Sequence, residues 1–108
     1  MEKTFYPKEF QWDGWNTKKN WQKHKVTTSE CEEVFFNESL IITGIDKSKI
    51  LYREDRYTAY GITNTCRLLF VIFTIRENKI RVISARDMSR SERRFYHEEA
   101  KKSDSIQK

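Results

Sequence analysis

Glycine and proline are scarce, three and one in 108 residues. That excludes collagen-like and linker-like chains, and it leaves no glycine-rich loop to cradle a nucleotide's phosphates. Two cysteines, Cys31 and Cys66, stand far apart without CxxC spacing, and His24 and His97 do not pair with them. No structural zinc site is expected, and the thiols read as reduced. No apolar run nears the roughly 20 residues that cross a bilayer; the longest, Leu68 to Ile75, is strand-length. Residues Met1 to Pro7 lack the apolar core of a signal peptide. A cytoplasmic protein without a membrane partner is therefore expected. Ser-His-Asp order and carboxylate clusters for a metal are also missing, so an enzyme built on this chain is expected to work with no cofactor.

What the chain has is charge and aromatic surface. The net charge is +5 with a pI near 9.3, which draws a small domain toward polyanions, nucleic acid first. An acidic protein partner would meet the same surface equally well. The hydrophobic share of 37% suffices for one compact core. A single domain over residues 1–100 is expected, followed by a polar, disordered tail over 101–108.

Local signals order the elements. Residues Phe5 to Trp12 read as a short edge strand. Asp13 is a candidate N-cap for a helix over Gly14 to His24. Ser29 with Glu32 fits a capping box for a second helix to about Phe36. The period then changes. Leu40 to Thr43 reads as a strand, Gly44 to Ser48 as a turn, Ile50 to Gly61 as a second strand. Cys66 to Arg76 is apolar on both faces and reads as central. Glu77-Asn78 closes a tight hairpin onto the last strand, Lys79 to Arg86. Ser89 with Glu92 opens a helix to about Lys101. The fold class is α+β: two N-terminal helices, a three- to four-stranded antiparallel sheet, and a C-terminal helix, with the helices on one sheet face.

The candidate chemistry lies in basic clusters. Arg81, Arg86, Arg90, Arg93 and Arg94 crowd the seam between the last strand and helix. Arginine's planar fork suits phosphate. The odd offset between Arg81 and Arg86 puts them on opposite faces of a regular strand; a bulge or bend would be needed to bring them to one. The same arginines could instead pair with Glu92, Glu98, Asp87 and Glu54. Lys23 and His24 offer a phosphate contact and a general acid or base, or simply a cationic helix end that suits the dipole. Glu54 and Arg56 share a strand face and could be a base and a clamp, or a cross-strand ion pair. Of the three indoles, Trp12 is expected to pack on the core, with Trp15 or Trp21 exposed for stacking.

One ordered string goes further. Phe10-x-Trp12-Asp13, Asn20-x-x-Lys23-His24-x-Val26 and Glu33-Val34-Phe35 come first. Arg56-Tyr57-x-Ala59-x-Gly61 and Arg67-Leu68-Leu69-x-Val71-x-Phe73-Thr74 follow. Ile80-Arg81-x-Ile83-Ser84-Ala85-Arg86 and Ser89-x-x-Glu92-Arg93-x-x-Tyr96 close it. In order and spacing, nearly everything from Phe10 to Glu98 resembles the BrnT-type toxins. The resemblance implies a RelE-like fold and a type II toxin–antitoxin module. Its toxin would be a metal-independent endoribonuclease that inhibits growth. The implied partners are RNA and a BrnA-type ribbon-helix-helix antitoxin that neutralises the toxin and contacts DNA. The alternative is a non-catalytic RNA- or antitoxin-binding subunit of an autorepressor complex. On the enzyme reading, His24, Glu54, Arg56 and Arg86 are the expected catalytic residues. Lys19, Lys23, Arg81 and Arg93 are the expected phosphate contacts.

Overall fold

Asp13 caps the first helix as its sequence position implies, its carboxylate accepting from the Trp15 and Asn16 amides at 2.8 and 3.4 Å. The computed structural model, which describes residues 9–37, 40–45 and 56–107, begins its regular structure there. Its elements are α1 (Gly14–His24), α2 (Thr28–Phe36), β1 (Ile41–Ile45), β2 (Tyr57–Ile62), β3 (Leu68–Arg76), β4 (Lys79–Asp87) and α3 (Arg90–Gln107). The strands form one antiparallel sheet in the order β1-β2-β3-β4, so the class is α+β as expected, with four strands.

The second helix starts differently from its expected cap. Two S/T-x-x-E patterns overlap here, and the chain uses Thr27 with Glu30 rather than Ser29 with Glu32. Tertiary partners decide between them. Glu30 also receives Arg67, whereas Glu32 accepts the Trp12 indole at 2.9 Å. Cys31 and Val34 of α2 enter the core with Val26, Ala59, Leu69, Val71, Phe73, Ile80, Val82 and Ala85. Gly61 is where α2 touches the sheet: a Cβ there would stand 2.5 Å from Val34 Cγ1. Phe35 meets Phe73 edge-on, and Phe10 stacks on Trp12 beside it, which places Trp12 against the core as expected.

Register then sorts the two sheet faces. Tyr57, Ala59 and Gly61 pair with Phe73, Val71 and Leu69 and point toward α2; Thr58, Tyr60 and Ile62 pair with Ile72, Phe70 and Leu68 and point the other way. Contrary to the expectation of helices on one face, α3 lies against that second face. Its Phe95 ring packs 4.9 Å from Tyr60, and its Glu92 bonds Arg86. The reason is visible in β3, which is apolar on both sides and requires cover on both. Glu92, Phe95, Tyr96 and Glu99 recur at helical spacing along the side of α3 with less exposure. The helix runs past its expected end near Lys101 to Gln107. No glycine or proline interrupts it, and Lys102 pairs with Glu99 one turn back.

The edge strand β4 is covered along its length. Glu9 and Gln11 exchange backbone hydrogen bonds with Ile80, and Asn20 of α1 accepts the Ala85 amide at 3.2 Å. Asp13 reaches Arg81 at one end of β4, and the His24 carbonyl lies near Asp87 through Arg67 at the other. Helix α1 thus runs parallel to β4. The hairpin turn has positive φ at both Glu77 (53°) and Asn78 (65°), the signature of a tight two-residue connection. Strand β1 continues to Ile45, with an irregularity after Thr43, so Gly44 and Ile45 belong to the strand and not to the expected turn. Residues 46–55, with the expected strand start at Ile50, lie outside the described residues.

Candidate functional site

The structure gathers the predicted residues into three places. The first is the C-terminal end of β4, on the face covered by α3. Arg86 stands in a row with Phe70 and Tyr60 across three strands. Its guanidinium lies over the Phe70 ring, 4.5 Å from the centroid. Its two terminal nitrogens donate to the two carboxylate oxygens of Glu92 at 2.8 and 2.9 Å. Glu92 is itself oriented by the capping box with Ser89, which forms as the sequence predicts. The Arg86 hydrogen bonds hold the Glu92 carboxyl below its ordinary range, and the same bonds hold Arg86 firmly charged. Burial, then the Glu92 charge, pushes the neighbouring Tyr60 hydroxyl upward. The result is a flat, oriented cation at a strand end whose present partner is a two-oxygen anion. A phosphodiester offers the same two-oxygen geometry. Arg93, on the first turn of α3, is exposed and donates to the Met88 carbonyl at 3.0 Å.

At the opposite end of the sheet lies the second group. The register shifts between Ile72 and Phe73, where β4 accommodates one extra residue, Ile83. Arg81 therefore pairs with Thr74 and Arg86 with Phe70, both even-numbered on β3, and the two arginines share a sheet face after all. They do not share a site. Their partners Phe70 and Thr74 are four positions apart on β3, about 13 Å at strand rise. Arg81 is also committed to the α1 cap by a 2.9 Å ion pair with Asp13. The Trp15 amide first, then Arg81, holds the Asp13 carboxyl below its usual range. Arg56 directly precedes β2 at this same end, since Tyr57 pairs with Phe73, next to Thr74. Glu54, its expected companion, lies outside the described residues.

Helix α1 carries the third group. Lys19 and Lys23, with Trp15, Lys18 and Gln22, line a cleft on its outward side. Both Trp15 (74%) and Trp21 (49%) are exposed, where only one was expected to be. His24 ends the helix, half-buried beside the Asp87 end of β4, where Arg67 holds the Asp87 carboxyl below its usual range. Of the four expected catalytic residues, then, His24 and Arg86 flank one end of β4 and Arg56 lies at the other. Among the described residues, no group of three or more His, Cys, Asp or Glu is placed to hold a metal.

Sequence reasoning gave Arg67 no role. Its guanidinium reaches three elements at once: Asp87 at 2.7 Å, Glu30 at 3.2 Å, and the His24 and Lys25 carbonyls at 2.9 and 2.8 Å. Lys25 adopts a left-handed conformation (φ 56°), a strained choice for a non-glycine residue that Arg67 helps secure. Its hydrogen bonds to Asp87 first, then to Glu30, hold Arg67 charged. Burial pushes Glu30 up, but the Thr27 amide and Arg67 outweigh it. Two of these partners are backbone carbonyls of a turn more than forty positions away, which no side-chain pattern reveals.

The family described as "Ribonuclease toxin, BrnT, of type II toxin-antitoxin system" matches residues 12–92. That range takes in α1, the whole sheet and the Arg86–Glu92 pair. The crystal structure of the Brucella abortus ribonuclease toxin BrnT is similar, with a TM-score of 0.58 and 24% identity over 76% of this chain and 97% of that one. At that identity the likeness establishes the fold. No curated protein matches the chain. No helix among the described residues is long and apolar enough to cross a membrane. The sequence motifs, the sheet with its capped seam, and the match across three quarters of the chain agree: this chain belongs to the BrnT family of ribonuclease toxins of type II toxin–antitoxin systems.

Proposed function

We propose that the chain is a cytoplasmic, metal-independent endoribonuclease whose cutting site lies at the C-terminal end of β4, and that a BrnA-type ribbon-helix-helix antitoxin neutralises it. The family match over residues 12–92 carries the ribonuclease reading. The oriented Arg86 guanidinium carries its location.

The RNA supplies the nucleophile, its own 2′-hydroxyl. His24, at the helix end beside this strand end, takes or returns a proton. Arg86 exchanges the Glu92 carboxylate for the phosphodiester and stabilises the charge that builds on the phosphorane-like transition state. A second proton transfer releases the 5′-oxygen. Arg93 extends the cationic surface along α3, and Lys19 and Lys23 hold flanking phosphates. Arg56 lies at the other end of the sheet, outside the site on this reading. Arg81 acts mainly through Asp13, fixing the start of α1.

The test is cleavage of total RNA by the purified chain beside Arg86→Ala and Arg56→Ala. Removing one charge-stabilising donor costs on the order of 100- to 1,000-fold in rate. That loss is expected for Arg86→Ala, with a much smaller one for Arg56→Ala. Equal activity of all three proteins contradicts the assignment. Intact RNA with all three would make the chain a binding subunit of an antitoxin complex instead.

A further inference from the structure

The outward side of α1 has a composition the cutting site does not require. Trp15, Lys18, Lys19, Gln22 and Lys23 fall at i, i+3, i+4, i+7 and i+8, one continuous stripe, and together they line a cleft. No residue of α1 is acidic, so nothing on the helix itself neutralises the lysines. Trp15 presents 74% of its surface to solvent. An indole of that size normally serves the core, as Trp12 does here. On a lysine-bearing helix it offers a flat π-face between cations, the combination that holds an unpaired nucleic-acid strand. A duplex hides its base faces and an acidic peptide has none, so the indole distinguishes the single strand from both.

We propose that this stripe is a single-stranded RNA track that leads into the site at the end of β4, with one unpaired base stacked on Trp15 and neighbouring phosphates on Lys19 and Lys23. The direction comes from the fold. Because α1 runs parallel to β4, its stripe starts beside Arg81 and finishes at His24, near the Arg86 end of the strand. Eleven helical residues span about 16 Å, room for roughly five stacked nucleotides at 3.4 Å each. Lys19 and Lys23 stand one turn apart, about 6 Å, which suits adjacent phosphates along a strand. The inference takes the identity of the polymer from the ribonuclease reading but does not depend on cutting.

The experiment uses a fluorescein-labelled 2′-O-methyl oligouridine, which lacks the nucleophile and cannot be cleaved by the proposed route. Its binding to the full chain is followed by anisotropy over a range of salt. Trp15→Ala is expected to weaken binding roughly 5- to 150-fold without changing the salt slope, and Trp15→Phe to restore part of it. Lys19→Ala and Lys23→Ala are each expected to reduce the slope of log affinity against log salt by about 0.7. A duplex should show no dependence on Trp15. Equal binding of the oligouridine by wild type and Trp15→Ala overturns the proposal. So does an equal loss of duplex binding, or a poly-glutamate peptide whose binding falls as much in Trp15→Ala, which would assign the face to an acidic protein segment. Unaltered melting of Trp15→Ala shows that the loss is not one of folding. Tight, Trp15-dependent binding by a wild-type chain that leaves total RNA intact would contradict the enzyme reading and leave the track standing.

Discussion

Arg67 and Arg86 both make several hydrogen bonds and ion pairs, and they are built for opposite ends. Arg67 spends its donors on four acceptors from α1, α2 and β4, two of them carbonyls of a strained turn. No single incoming group could replace that set. Arg86 gives its fork to one carboxylate and its flat face to Phe70, with one further bond to the Asp87 carbonyl. A phosphate can substitute for a carboxylate without disturbing the ring or the strand. On the proposed reading, the number of ion pairs does not separate a structural arginine from a functional one. The number of distinct elements it ties together does, along with whether one ligand could take over its acceptors.

The largest effect that would sharpen the contrast is on stability. Arg67→Ala should lower unfolding free energy by about 2–3 kcal/mol, because it strands two carbonyls and two carboxylates and frees the left-handed Lys25. For a domain of this length that is roughly 10–20 °C in Tm, read by thermal denaturation. A shift of a degree or two would break the comparison from the structural side.

Acid should act on the same region more gradually. The carboxyls of Glu30, Asp87 and Glu92 are held below their ordinary values in the folded chain. A depressed folded pKa adds stability that is present above the unfolded value, about 4, and is lost as pH falls through the folded one. Tm should therefore stay level from pH 8 to 5 and drop below about pH 4. Arg67→Ala should show a shallower acid drop, since Asp87 and Glu30 have then already lost their partner. An identical drop in both proteins would place the acid sensitivity elsewhere.

The smallest effect concerns the thiols. Burial pushes Cys31 up to about 12, whereas Cys66 is exposed in the turn before Arg67. Since the thiolate is the reactive form, a thiol reagent at pH 8 should label Cys66 alone in the native chain and both residues after denaturation. Native labelling of Cys31 would show that α2 leaves the sheet readily, and that the Arg67 junction is weaker than its bonds suggest.

How much of this could be read from the chain depended on the range of the interaction. The bounds of α1 were legible because Asp13 and the cationic end are local signals. The Ser89–Glu92 box was legible for the same reason. At α2 two boxes competed, and Arg67 and Trp12, from distant parts of the chain, decided between them. The side on which α3 packs was hinted at by a β3 apolar on both faces, yet that signal pointed equally to a merely central strand. The extra residue in β4 was invisible to a period-two reading, so Arg81 and Arg86 were placed on opposite faces when register puts them on one. For the candidate site, residue types grouped Arg86 and His24, and the fold sets both at the Asp87 end of β4. They also grouped Arg81 with them, although it is bound to the start of α1.

On the proposed reading Arg86 serves chemistry and Arg67 serves structure, a division of labour that one measurement separates. It is tested most directly by measuring total-RNA cleavage at a temperature where wild type, Arg67→Ala and Arg86→Ala are all folded by circular dichroism. The expected result is a fall of roughly 100- to 1,000-fold for Arg86→Ala, with Tm within a few degrees of wild type, and activity within about tenfold of wild type for Arg67→Ala despite its lower Tm. Full activity in Arg86→Ala, or a loss in Arg67→Ala as large as that of Arg86→Ala, would contradict it.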